Sequence, residues 1–174
     1  EVIIQTDRME LYYKYAEKLI EMNKAYDCIC EGDKFREYSK EKSNCPCSGL
    51  DIEDNKKRWS QMLGIDDDDK YNQGEAVLRF RSDMKHPNPA MRDFPLARIN
   101  TTPHPRQGEK YRVWPLMNLS VTVDDIELKL THIIRAKEHM DNAKRQRMIY
   151  QALDKKYPWD AYLGRWHIEG LRLS

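Results

Sequence analysis

The spacing of apolar residues changes character along the chain. From Thr6 to Tyr26 the sequence TDRMELYYKYAEKLIEMNKAY places Leu11, Tyr12, Tyr15, Ala16, Leu19, Ile20 and Met22 near one face of a helical period. That predicts a helix ending near Asn23–Tyr26. Thr6 or Asp7 is its expected cap, because a side-chain oxygen there can accept a free backbone N–H. A cysteine-bearing segment follows, with a short helical stretch, DKFREYSKE, between its halves. IEDNKKRWSQML predicts another helix, with Ser48 or Asp51 as cap and Gly64 just past its end. The pattern then alternates. EAVLRFRSDM reads as a strand with one covered face, and FPLARIN and KYRVWP as shorter strands. Proline-broken HPNPAMRDFP and turn-rich TTPHPRQGEK separate them.

The last third differs again. LMNLSVTVDD is mixed, LTHIIRA reads as a buried strand, and KEHMDNAKRQRMIYQALDKKY as a long helix. Its inward positions are expected to be Met140, Ala143, Ile149, Ala152 and Leu153. GRWHIEG is the expected closing strand. Strand–helix–strand with buried strands points to a parallel α/β layer. Residues 24–111 read instead as an α+β module set between two pieces of that layer.

Composition narrows the partners. The chain has 174 residues, 34% of them charged, with a net charge of +1, so no global basic field announces nucleic acid. No apolar run approaches the roughly 18 residues of a membrane span, and no secretory signal opens the chain. The abrupt ends, EVIIQT and GLRLS, suggest a piece of a longer protein. IDDDDKYNQGE reads as a solvated acidic loop.

Cysteine usage adds chemistry. Cys28, Cys30, Cys45 and Cys47 form C-x-C, a fourteen-residue gap, and C-x-C. Two close pairs from two chain segments can place four thiolates around Zn²⁺, closing a loop too small for its own core. Without a secretory context this is favoured over disulfides. The spacing is tighter than the common C-x₂-C, and four unliganded thiols stand as the alternative. With sulfur at every position such a site is structural, having no opening for a catalytic water. His86, His104, His132, His139 and His167 show no metal-ligand spacing. Lysines and arginines from Lys34 to Lys110 are scattered, and read alone they are a solvated surface balanced by nearby acids.

Several segments taken in order carry more. WPLMNLSVTVDD, then LTHIIRAKEHMDNAKRQRMIYQAL, then GRWHIEGLRLS, resemble the second half of the catalytic domain of glutamyl-tRNA synthetases. The form is archaeal, within the class I aminoacyl-tRNA synthetase family. TDRMELYYKYAEKLIEMNKAY and VLRFRSDMKHPNPAMRDFPLARIN match the same family upstream, so the resemblance spans almost the whole chain. It implies an α/β fold: the C-terminal half of a class I Rossmann-like catalytic domain with an inserted α+β, zinc-containing acceptor-binding domain. Residues 1–23 would end the first Rossmann half, 24–111 would form the insertion, and 112–174 the second half.

The resemblance also implies roles. Arg135 matches the arginine that meets the side-chain carboxylate of glutamate, a pairing suited to a guanidinium fork at a strand's C-terminal end. Met117 and Val121 fall where the family lines the amino-acid pocket. Glu138, His139, Arg165 and Trp166 match positions near ATP. Arg92 and Arg106 become part of an RNA-facing surface for the tRNA acceptor end, and the four cysteines a zinc knuckle. ATP, Mg²⁺, structural Zn²⁺, glutamate and tRNA are the implied ligands, in a cytoplasmic enzyme with no membrane contact. The implied reaction activates glutamate with ATP and transfers it to the 3′ end of tRNA. The HIGH-type motif would precede Glu1 and the KMSKS-type loop would begin at about Ser174. No catalytic residue is therefore expected within the chain, which alone should not activate glutamate. WPLMNLS departs from the family's usual WPTMDFS at Leu116, Asn118 and Leu119, and Lys129 stands where glycine is common. The glutaminyl enzyme is the near alternative, disfavoured by Arg135. A zinc-stabilised RNA-binding module without catalysis is the alternative of another class.

Overall fold

The computed structural model describes residues 2–65 and 69–164. α1 (Met9–Glu21) turns Tyr12, Ala16, Leu19 and Ile20 inward, as its period requires. Its start differs from expectation. Gln5–Asp7 form a 3₁₀ turn, and no side chain caps the helix. Both ends of that turn are engaged elsewhere. Asp124 accepts from Gln5 Nε2, Arg8 Nε and Tyr12 OH, each at 2.9 Å. Asp7 instead accepts from Arg106 Nη2 at 2.9 Å and Gln107 Nε2 at 2.7 Å.

α2 (Gly32–Glu41) and α3 (Ile52–Leu63) lie where the periodicity puts them. Asp51 caps α3, accepting from the Asp54 backbone N–H at 2.8 Å. Gly64 ends it at φ 68°, where an added Cβ would also collide with the Arg112 guanidinium. The other α-helices end on left-handed residues that are not glycine: Asn23 (φ 55°), Lys42 (φ 56°), Lys129 (φ 54°) and Asp154 (φ 53°). Lys129 thus holds a conformation that glycine adopts without strain.

β1 (Ala25–Cys28), β2 (Val77–Phe80), β3 (Pro95–Ile99) and β4 (Val113–Pro115) form an antiparallel sheet in that order. Register puts Ala25, Leu78, Phe80, Ile99 and Val113 on the face toward α1 and α3. They join Trp59 and Met62, then Leu119, Val123, Ile149 and Leu153, in one continuous hydrophobic cluster. The opposite face carries Tyr26, Cys28, Val77, Arg79, Arg98 and Trp114.

The second layer is α4 (Met117–Glu127), β5 (His132–Ala136), α5 (Met140–Ala152) and β6 (Trp159–Leu163), with β5 and β6 parallel. The fold is therefore mixed α/β. LMNLSVTVDD, without a clear period, is the helix α4. Its β-branched run favours a strand locally, but Leu119 and Val123, one turn apart, both reach the shared core. Thr122 Oγ1 donates to the Asn118 carbonyl at 2.7 Å, which satisfies the hydroxyl inside a helix. β5 is covered on one face only: Ile133 is 8% exposed and Ile134 67%. Met140, expected inside, is exposed, because α5 turns Ala143, Gln146, Ile149 and Tyr150 inward. The strand beside β5 is WDAYL, whereas the expected GRWHIEG lies, from Arg165 on, outside the described residues. No helix among the described residues is long and apolar enough to cross a membrane.

Asp124 is 8% exposed and ties α1 to α4 through three donors. Asp124→Ala leaves the Arg8 guanidinium and the Tyr12 hydroxyl without their acceptor. We expect a loss of about 3 kcal/mol in stability, measurable by urea unfolding with an unchanged m-value.

Candidate functional site

β1 ends on Cys28, and Cys30 follows in the turn before α2. Cys45 and Cys47 flank Pro46 at a 3₁₀ turn, Pro46–Gly49, whose first residue has the fixed φ such a turn needs. The four Sγ atoms all lie within 4.8 Å of one another. Cys28 and Cys45 are 3.9 Å apart, Cys30 and Cys47 3.7 Å. Thiolates about 2.3 Å from a tetrahedral zinc have S···S edges of about 3.8 Å, so this donor set is compatible with zinc. All four are free thiols.

Crowding sets their ionisation. Cys28 is held far above the ordinary thiol range, first by its hydrogen bond with Cys45, and burial pushes Cys30 up to about 11. Cys47 is drawn well below that range, chiefly by its hydrogen bonds with Cys28 and Cys45. One thiolate is thus favoured, with its neighbours donating to it. A divalent cation is what would allow all four to ionise together.

The surroundings fix the cluster. Tyr26, Phe35 and Met84 pack around it in a small separate core. Tyr26 OH donates to Asp93 Oδ2 at 2.7 Å and lies 3.5 Å from Cys45 Sγ. Arg92 is not at the surface, contrary to its expected RNA-facing role. It is 7% exposed, and its guanidinium donates to the carbonyls of Ser39 (2.6 Å), His86 (2.8 Å) and Pro87 (3.3 Å). It ties the end of α2 to the loop before β3. Arg106 is exposed but pairs with Asp7.

Asp27, on β1, is fully buried, and neither carboxylate oxygen has a hydrogen-bond partner. Burial pushes it up to about 8, against the pull of Arg58. A carboxyl raised in the folded state adds no cost below its unfolded value near 4. Its cost grows as pH rises toward 8. Asp27→Asn should therefore stabilise the protein by on the order of 1–3 kcal/mol at pH 8. The gain should shrink toward pH 5 in paired melting curves, and a pH-independent difference would contradict this reading.

The second cluster surrounds Arg135, near the C-terminal end of β5. It shares the face of β5 that carries Ile133, and α4 and α5 cover it. Its Nη2 lies 3.3 Å from Asp125 Oδ2, with side chains 13% and 10% exposed, and its Nη1 donates to Gln146 Oε1. Asp141, close by in sequence, pairs instead with Lys144 and accepts from Asn88. Asp125 is pushed up to about 6 by burial, although Arg135 opposes the shift. Met117, Val121 and Asp125 succeed one another at four-residue spacing on α4, which makes one stripe ending at Arg135. Asp125 had no signal in the sequence until LMNLSVTVDD was known to be a helix. Glu138 is exposed in the turn Lys137–His139, and half-buried His139 sets Nδ1 3.2 Å from Asn142 Nδ2 at the start of α5. Arg165 and Trp166 lie outside the described residues.

Comparison with known proteins gives a consistent outcome. Residues 1–172 match the family model described as tRNA synthetases class I (E and Q), catalytic domain. A glutamate–tRNA ligase of Pyrococcus abyssi is 49% identical over 175 aligned positions, covering 100% of this chain and 30% of that protein. One from Methanocorpusculum labreanum is 46% identical over the same span, again 30% of its length. The chain thus spans about a third of the curated relatives it matches. Among solved structures, a glutamate tRNA ligase from Elizabethkingia meningosepticum, crystallised with its amino acid, superposes with a TM-score of 0.57. It is 18% identical, and the match covers 92% of this chain and 33% of that one.

Proposed function

This chain belongs to the catalytic-domain family of class I tRNA synthetases for E and Q, and on that premise we propose that it is part of a glutamate–tRNA ligase. The observation that carries the reading is the 49% identity to a protein of that name along 100% of the chain. Arg135 supports glutamate over glutamine. A guanidinium rewards a second carboxylate, which a neutral side-chain amide does not offer.

The reaction has two steps. The α-carboxylate oxygen of glutamate attacks the α-phosphorus of ATP, and pyrophosphate leaves. A terminal ribose hydroxyl of tRNA then attacks the glutamyl carbonyl, and AMP leaves. The chain's own contribution is positioning. Arg135, held between Asp125 and Gln146, would orient the substrate side chain, with Met117 and Val121 along the same stripe. Glu138, His139, Arg165 and Trp166 are proposed to border ATP, and Mg²⁺ bound with it would neutralise phosphate charge. Cys28, Cys30, Cys45 and Cys47 would hold structural zinc. We assign residues 24–111 to an insertion that meets the tRNA acceptor end, between segments 1–23 and 112–174 of the catalytic layer, in a cytoplasmic enzyme.

The test is charging of unfractionated tRNA by the full-length protein with labelled glutamate or glutamine. Glutamyl-tRNA is the expected product. Glutaminyl-tRNA would overturn the specificity, and tRNA binding without charging would leave only an RNA-binding module.

A further inference from the structure

α5 starts without a side-chain cap, and the residue before it is His139, assigned above to the border of ATP. Free N–H groups make such a start prone to fray, and a frayed turn does not hold a side chain in one place. Other side chains fasten it instead. Arg145 Nε donates to the Ala90 carbonyl at 2.6 Å, and Asn88 Nδ2 donates to Asp141 Oδ1 at 3.1 Å. Arg145 Nη1 also donates to Asn142 Oδ1 at 3.1 Å, and Asn142 Nδ2 lies 3.2 Å from His139 Nδ1. Arg145 is half-buried, its guanidinium carbon 5.8 Å from the centre of the Phe94 ring. One guanidinium thus grips the loop before β3 on one side and the partner of His139 on the other.

That loop is a firm anchor. Asn88 caps the 3₁₀ turn Pro89–Met91, accepting from the Ala90 N–H at 2.9 Å, and Pro87 and Pro89 each fix a backbone φ. Met91 and Phe94 are buried, and Phe94 stacks on Phe80 with centroids 5.0 Å apart. Asp93, at φ 32°, accepts from Tyr26 OH and from the Ser82 N–H, both at 2.7 Å. A residue other than glycine keeps such a φ only where its surroundings impose it. Arg92 binds the same loop to the Ser39 carbonyl near the end of α2, and Tyr26 packs with the cysteines. A helix start tied to this loop is therefore tied to the cysteine lobe.

We propose that Arg145 is a positioning residue for ATP: it holds the first turn of α5 against the Pro89–Met91 loop, and so holds His139 in place for the nucleotide. Its effect passes through Asn142 and His139, with no contact of its own to ATP. Holding the turn in advance lowers the ordering cost that ATP binding would otherwise carry. The assignment rests on the reading above that His139 borders ATP, and adds what keeps it there.

The experiment measures charging of tRNA with glutamate by the full-length protein as ATP is varied. Wild type, Arg145→Met, His139→Ala and the double variant are compared. Methionine keeps an aliphatic stem against Phe94 and removes the donors. Arg145→Met should raise the KM for ATP roughly fivefold, the loss expected from one or two hydrogen bonds, while the KM for glutamate stays as in wild type. Arg145→Lys, which keeps one donor, should recover part of the loss, and amide hydrogen exchange at the start of α5 should quicken in Arg145→Met. The double variant should match His139→Ala, because the two residues act in series. A fully additive double variant, or a wild-type ATP KM in Arg145→Met beside an impaired His139→Ala, would overturn the tether and leave His139 at ATP. A wild-type ATP KM in His139→Ala removes both assignments, while charging by wild type still supports the ligase reading.

Discussion

Stripping metal from the full-length protein with a strong chelator should lower its melting temperature by many degrees, and the cysteine lobe should open first. The lobe has almost no core of its own. Its buried set is Tyr26, Cys28, Phe35, Cys45, Cys47 and Met84, and half of these residues are proposed metal ligands. Without a cation, four thiols within 4.8 Å of one another crowd into a cluster that ionises only in part. Zinc binding in such small units is worth on the order of 10 kcal/mol, more than the packing of so few side chains supplies. Cys28→Ser or Cys45→Ser should have an effect like chelation. Metal analysis should find about one zinc per chain. Four freely titrating thiols, no zinc and a melting curve indifferent to chelator would contradict the assignment.

The sequence made some of this legible and hid the rest for identifiable reasons. α3 was readable to the residue because its signals are local: Asp51 caps it and Gly64 ends it. The cysteine pairs were readable because chemistry, more than packing, sets their spacing. α4 was not. Val121, Thr122 and Val123 favour a strand on their own, and only burial of Leu119 and Val123 against β3 and α1 decides for a helix. That hidden helix concealed Asp125, the partner of Arg135. Arg92 misled for a related reason: a charged residue in a proline-broken loop reads as solvated, and nothing local reveals three backbone carbonyls converging on it.

The other large effect is expected at Arg135. Its side chain is 13% exposed and already turned by Asp125 and Gln146, so little freedom would remain to be lost in pairing with the substrate carboxylate proposed for it. Removing it affects stability less than most buried pairs would. Asp125 is pushed up to about 6 even with Arg135 beside it. Without that positive charge its pKa rises further, so the carboxyl takes a proton near neutral pH and no buried charge is stranded. We therefore expect Arg135→Ala to lose about 1–3 kcal/mol of stability, well within what a folded domain tolerates. Its loss in substrate recognition should be larger, because a charge-assisted pair to a carboxylate is worth about 2–5 kcal/mol. Arg135→Lys keeps the charge but loses the fork, and should recover only part.

The most direct measurement is the glutamate kinetics of the full-length protein carrying Arg135→Ala. The expected result is that kcat/KM for glutamate falls by roughly 100-fold or more while the KM for ATP stays as in wild type. An unchanged kcat/KM for glutamate in that folded variant would contradict it.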